Sequence, residues 1–321
     1  MSSSELTQAV RQEALRLGFA ACGFAPAGPV SGVCMEMLDR WVANGHHADM
    51  GYMERNRHLR EDPTQLVPGC RTLIVVALNY YPKRTLPKEG YQIAYYAYGK
   101  DYHRVVKDKL HQLLGYIKTL APDVEGRAFC DTAPLPERYW AVRAGLGFMG
   151  RNRTLIIPGK GSYFFLGVLA VTAELGMRHE ADSSSPTRDT SGIDTLKDDP
   201  VACGDCKRCL LACPTGALTR EGIDCRRCLS YLTIEHRGPL PEGVAQKLGR
   251  RIYGCDTCQQ VCPHNKLAQP TEEEAFDMAP EVEALTPQEW MEMTPERYRQ
   301  LFKHSAMERA GYEGLMRNLQ R

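Results

Sequence analysis

The 321-residue sequence predicts an α+β protein of two parts with a short helical tail. Three observations carry that reading. Nine of the thirteen cysteines lie between Cys203 and Cys262, the first 175 residues alternate helix-like and strand-like apolar patterns, and a Ser-, Thr- and Asp-rich stretch at 182–200 separates the two. At about 150 residues per domain the length holds two domains, which the composition shifts place at 1–181 and 182–270, with 271–321 as the tail. A hydrophobic content of 43% supplies their cores. Forty Lys and Arg against 39 Asp and Glu exclude a global pull towards nucleic acid or anionic membrane, so any such contact is a local patch.

In chain order, Leu6, Ala9, Val10, Ala14 and Leu17 recur at helical spacing after Ser4 as N-cap, and Gly18 stops the run. Phe19–Phe24 and Thr72–Tyr80 read as buried strands, because β-branched apolar residues run there without polar alternation. Val106, Leu110, Leu113, Ile117 and Leu120 form the stripe of a second helix that ends before Pro122. A third helix is expected over 134–144, closed by Gly145 and Gly147, and two strands over 155–157 and 163–172. The largely apolar run from Tyr163 to Ala173 is 11 residues, against ~20 for a membrane-spanning helix. The first ten residues, with Glu5 among them, lack a signal-peptide core. These features predict a soluble, cytoplasmic monomer with no membrane partner.

The cysteines carry the chemistry. Cys203-x2-Cys206-x2-Cys209-x3-Cys213-Pro214 is the ferredoxin-type run, in which three thiolates grip one 4Fe–4S cube and the fourth reaches another. Cys255-x2-Cys258-x3-Cys262-Pro263 is a second run short of one member, which Cys225 or Cys228 must supply. Cross-ligation then puts Cys203, Cys206, Cys209 and Cys262 on one cluster, and Cys213, Cys255 and Cys258 with that extra thiolate on the other. Structural zinc would favour two CxxC pairs joined by a longer loop. Residues 201–270 hold ten Lys and Arg against six acids, which offsets the negative charge of two cubes; Arg226, Arg227, Arg250 and Arg251 fit charge balance and nucleic-acid contact equally. Two adjacent clusters form a short electron wire. The domain ahead of them is large enough to be the enzyme that the wire feeds from an external low-potential donor.

Gly99-Lys100-Asp101-Tyr102-His103, Asp131-Thr132, Arg143-Ala144-Gly145-Leu146-Gly147, Asn152, Gly161-Ser162-Tyr163, Cys228-Leu229-Ser230-Tyr231-Leu232-Thr233 and Tyr253-Gly254-Cys255-Asp256-Thr257-Cys258-Gln259 resemble the epoxyqueuosine reductase family over nearly the whole chain. The resemblance selects Cys228 over Cys225. It implies a base-off cobalamin in an amino-terminal domain with a nitroreductase-like sandwich, reduced through the two clusters of a ferredoxin-like domain. Its substrate would be epoxyqueuosine at the wobble position of tRNA, reduced to queuosine. The His-donating corrinoid motif Asp-x-His-x-x-Gly is begun by Asp101-Tyr102-His103 but broken by Val106, in keeping with a cobalamin that takes no protein His. Corrinoid reductive dehalogenases share the two-cluster logic and are the enzymatic alternative; a cobalamin-handling or electron-transfer protein without its own substrate is the alternative outside catalysis.

Local sequence reads Asp131, ahead of Thr132-Ala133-Pro134, as a helix cap; the resemblance makes it the proton donor, a carboxyl whose pKa apolar surroundings would raise. The same resemblance assigns cofactor contacts to Arg60, Tyr102, His103, Asp131, Asn152, Ser162 and Ser230. Residues 83–118 hold eight Lys and Arg against three acids, interleaved with Tyr91, Tyr95, Tyr96, Tyr98 and Tyr102. Cations hold phosphates and aromatic faces stack splayed bases, so this segment is the expected tRNA surface. The acidic stretch Glu272–Glu296 reads as a solvated helical surface.

Overall fold

The computed structural model describes residues 1–175 and 203–321; the expected linker at 182–200 and the boundary at 181/182 lie outside them. Helix α1, Ser3–Arg16, opens on a capping box in which Ser2, not Ser4, is the cap: its hydroxyl accepts from Glu5 N–H while the Glu5 carboxylate accepts from Ser2 N–H. The earlier cap wins because Glu5 sits three residues after Ser2 and closes the reciprocal pair. Gly18, at φ +91°, then turns the chain out of the helix.

Strands β1, Ala21–Pro26, and β2, Thr72–Asn79, belong to a four-stranded sheet completed by β4, Gly126–Phe129, and β7, Phe164–Val171. The order is β1-β2-β7-β4 and every pairing is antiparallel. The unbroken apolar run of β2 has a plain cause. Ile74, Val76 and Leu78 face α1 and α4, Tyr102–Leu120, while Leu73, Val75 and Ala77 face α2, Gly32–Ala43, and α5, Glu137–Arg143. Both faces of the sheet are covered, so neither set of alternate positions can be polar. In α4 the stripe is as read: Val106, Leu110, Leu113 and Ile117 are fully buried. Helix α5 is three residues shorter at its start than expected, since Pro136 steers Leu135 before it out of helical φ/ψ and itself becomes the N-cap.

Two motif glycines are packing requirements. A Cβ on Gly99 would lie 2.2 Å from Ala275 O, and one on Gly147 would lie 2.1 Å from Ile156 O. Gly99 thereby admits the 274–276 turn against the start of α4, and Gly147 admits the short hairpin of β5, Phe148–Met149, and β6, Leu155–Ile156.

The two halves are stitched by backbone. Strand β3, Gln92–Ile93, pairs in parallel with β8, Arg251–Tyr253, just before Cys255. A third core joins Ile93, Tyr98, Ile252 and Tyr253 to Trp290, Phe302, Leu315 and Leu319. Asn318, with no exposure, donates to Thr233 O at 2.9 Å and Ile252 O at 2.8 Å. The acidic 272–296 stretch forms short helices rather than one surface helix, and it binds cations: Glu273 pairs with Lys109 at 2.7 Å and Glu283 with Arg84 at 3.2 Å. No helix among the described residues is long and apolar enough to cross a membrane.

Candidate functional site

Asp131 follows β4 directly and stands with φ +56°, a left-handed conformation that costs a residue with a Cβ about 1–2 kcal/mol. It is no helix cap, since α5 starts at Glu137. Its backbone N–H donates to Glu137 Oε1 at 2.6 Å, and neighbouring Thr132 Oγ1 accepts from Lys107 Nζ at 2.7 Å. The carboxylate meets the first turn of α4, where Tyr102 Oη donates to Asp131 Oδ2 at 2.6 Å and His103 Nε2 lies 3.6 Å from the same oxygen. Asp101, the N-cap of α4, takes His103 Nδ1 at 2.6 Å. Tyr102 is clamped between the rings of Phe165, 4.2 Å between centroids and nearly parallel, and His103 at 4.0 Å.

This arrangement sets protonation. Burial alone would lower His103, but Asp101 and Asp131 outweigh it and push its pKa up to about 9. Burial pushes the Asp131 carboxyl up, but contacts from His103 and Tyr102 outweigh that and hold it below the usual carboxylate range. The raised Asp131 pKa is expected from apolar surroundings together with the corrin; the protein's own groups act the other way. Near neutral pH the proton rests on His103, one step behind the carboxylate, and the acid is the pair.

The second centre is built from thiols. Cys203, Cys206, Cys209 and Cys262 line one cavity of about 80 Å³, together with Asn152 and Arg208. The other four lie within one another's electrostatic reach, with Cys209 also near Cys258. Cys213 and Cys255 both raise the thiol of Cys228, and Cys255 and Cys228 raise that of Cys258. Burial would raise Cys213 too, but the N–H groups of Leu218, Thr215 and Ala217 and the Thr215 hydroxyl outweigh it and lower its thiol. Ser230 and Tyr231 N–H groups act likewise on Cys228, where burial still wins. Among the described residues no three His, Cys, Asp or Glu side chains converge tightly enough for a single metal ion. Thiols spread around a cavity and aimed at by backbone N–H groups suit a cube. Cys225 is 9% exposed among Leu229, Leu232 and Leu248, with Cys228 and Cys255 packed against the same residues, and burial, with a smaller push from Cys228, takes its thiol up to about 12.

The remaining expected contacts divide. Arg60 is 8% exposed, gives Nη2 to Tyr52 O at 3.2 Å and has no partner for Nε, a donor suited to an acceptor oxygen of a large bound cofactor. Asn152 sits at the cluster cavity, with its amide on Cys258 O at 3.4 Å. The Ser162 hydroxyl donates to Gln259 Oε1 at 2.9 Å and accepts from Asn265 at 3.0 Å, so it fastens the cluster segment to the sheet. Ser230 aims its backbone N–H at the Cys228 sulfur. Of the tyrosines of 83–118, Tyr98 is buried at 6% exposure, while Tyr91, Tyr95, Tyr96 and Tyr102 are half-buried against the cores: Tyr96 reaches Tyr253 Oη at 3.4 Å and Tyr95 packs on Tyr163. Arg227 and Arg251 brace turns through Thr215 O and Thr257 Oγ1, and Arg226 pairs with Asp224. Sequence reasoning missed Glu137, whose only signal was its place six residues after Asp131.

Comparison with known proteins decides the family. Residues 60–132 match the model described as epoxyqueuosine reductase QueG, DUF1730, and residues 202–265 match the 4Fe-4S double cluster binding domain. The epoxyqueuosine reductase of Cyclobacterium marinum is 39% identical over 98% of this chain and 95% of its own, and that of Escherichia coli 34% over 98% and 80%. The chain belongs to the epoxyqueuosine reductase family. Solved relatives agree with this membership. An epoxyqueuosine reductase crystallised with an epoxyqueuosine-modified tRNA-Tyr stem loop is 28% identical, with a TM-score of 0.84 over 99% of this chain and 80% of its own. A Bacillus subtilis structure, described with an aspartate-bearing catalytic loop swung out of the active site, is 27% identical with a TM-score of 0.83 over 99% and 81%.

As in its family, this oxidoreductase carries two 4Fe–4S clusters. Anaerobically purified protein is expected to hold about eight irons and eight sulfides per chain. Zinc in their place, or about four irons, in elemental analysis would overturn the two-cluster assignment.

Proposed function

We propose that this chain reduces epoxyqueuosine to queuosine at the wobble position of tRNA. The Asp101–His103–Asp131–Tyr102 constellation, in a chain of this family, carries the reading. Loss of the epoxide oxygen as water consumes two electrons and two protons. Low-potential electrons from an external donor enter at the clusters, with Cys203, Cys206, Cys209 and Cys262 on one and Cys213, Cys228, Cys255 and Cys258 on the other. Base-off cobalamin, when bound, supplies a nucleophilic metal centre for carbon–oxygen cleavage. Arg60 would hold it through the unpartnered Nε, and the sheet domain, 1–181, would seat it as a nitroreductase-like sandwich. The cluster domain spans 182–270 and the helical segment 271–321.

The chain's own contribution is the proton. The Asp131 carboxyl would pass a proton to the reacting oxygen, Tyr102 Oη–H fixes the orientation of that carboxylate, and His103 Nε2 would reload it while Asp101 keeps the imidazole charged. Incubation of loaded protein with epoxyqueuosine-containing tRNA and reductant should yield queuosine by nucleoside mass spectrometry. Absence of queuosine with clusters and cobalamin intact would overturn the reading.

Tyr98 is buried, so within 83–118 the tRNA contact falls to the exposed cations and the half-buried Tyr91, Tyr95, Tyr96 and Tyr102. Lys100 is exposed and Arg104 is 75% exposed, 3.8 Å from Asp108. Replacing both with Ala should weaken tRNA binding and flatten its log–log salt dependence by about 1.4–1.8, at ~0.7–0.9 per phosphate contact. An unchanged slope in filter-binding titrations would return both to a merely solvated surface.

A further inference from the structure

We propose that Glu137 is a positioning residue: its carboxyl holds the Asp131 backbone in the left-handed turn that aims the Asp131 carboxylate at Tyr102 and His103. The inference deepens the proposed function and rests on Asp131 being its acid. The geometry is specific. A non-glycine residue at φ +56° needs its surroundings to keep it there, and the one hydrogen bond made by the Asp131 N–H is to Glu137 Oε1 at 2.6 Å. Beyond the Asp131 side-chain contacts to Tyr102 and His103, the turn has little else. Thr132 N–H closes only a tight turn on Cys130 O at 2.7 Å, the Thr132 hydroxyl takes Lys107, and both Asp131 and Thr132 are exposed rather than packed.

Glu137 is anchored on the first turn of α5, whose Tyr139, Trp140 and Ala141 are buried against the sheet, so its carboxyl is referenced to the rigid core. The groups facing it are Cys130 and Asp131 of the turn, His103 of α4 and Arg138 of its own helix. Burial and the Asp131 charge push Glu137 up to about 8, so the neutral acid is the prevailing form at pH 7. Its carbonyl oxygen accepts the N–H, and Gln reproduces that acceptor. Ala does not.

Hydrogen-exchange mass spectrometry on the cluster-loaded protein tests this without reference to turnover. In Glu137→Ala the peptide covering 130–133 should exchange at least about tenfold faster, the factor that a hydrogen bond to a polar or charged acceptor is worth. Peptides from β2, β7 and α4 should be unchanged, and Glu137→Gln should match wild type. In the tRNA assay Glu137→Ala should lower kcat by a similar factor with KM for tRNA unaltered, and Gln should restore it. Unchanged exchange at 130–133 in Glu137→Ala, or equal loss of kcat in the Ala and Gln variants, would overturn the proposal. If wild type makes no queuosine, the functional reading fails, while the exchange comparison still decides whether Glu137 holds the turn.

Discussion

Asp131→Asn is expected to keep the fold, both clusters and tRNA binding while turnover falls by about 10²–10⁴-fold, the range that general-acid catalysis contributes. Asn matches Asp in size and tolerates the left-handed backbone at 131 nearly as well. The N–H bond to Glu137 belongs to the backbone and survives. What is lost is a carboxyl able to pass on a proton. A second signature separates this from misfolding. His103 owes its raised pKa to Asp101 and Asp131, so removing one anion should bring it down from about 9, visible in an NMR titration of the imidazole. In wild type the His103–Asp131 pair carries its proton below about 9 and loses it above, so turnover should fall on that alkaline side. Near-wild-type turnover of the Asn variant under saturating reductant would remove Asp131 from the reaction.

Cys228→Ser should abolish turnover and remove one cluster, about four of eight irons, whereas Cys225→Ser should keep both. The two thiols are three residues apart, yet their surroundings differ. Cys228 lies within the influence of Cys213 and Cys255 and receives two backbone N–H groups. Cys225 packs among leucines with Cys228 and Cys255 alongside, but its own N–H is spent on His46 O at 2.8 Å and no backbone N–H is among the causes that set its thiol. Burying a hydroxyl there should lower Tm by a few degrees, at about 1–3 kcal/mol for an unpaired polar group. Equal iron loss in the two variants would dissolve the distinction.

The layers of the sheet domain were legible because amphipathic periodicity reports burial directly: the α4 stripe and the β2 run needed nothing beyond the chain itself. The cysteine grouping was legible because a cube fixes short spacings. Strand order was not, since antiparallel pairing of β2 with β7 joins residues about ninety apart. Nor was the tyrosine set, because an aromatic between cations looks the same whether it stacks on a base or fills a core such as Ile93–Tyr98–Tyr253. Protonation at Asp131 was hidden for a similar reason. Only the fold brings Tyr102, His103 and Asp131 to one point, and that meeting sets the sign of the shift.

The buried amide of Asn318 bears on how the protein is made. It bonds the backbone at both Thr233 and Ile252, and so fixes the separation between the segment that follows Cys228 and the strand that precedes Cys255. The four strands of the sheet lie within residues 1–175, although Phe276 completes the core beside Phe165. The thiols downstream reach their final spacing only after residue 318 has emerged. The frame around the second cube is thus completed by the last turn of the chain, far in sequence from the cysteines it spaces.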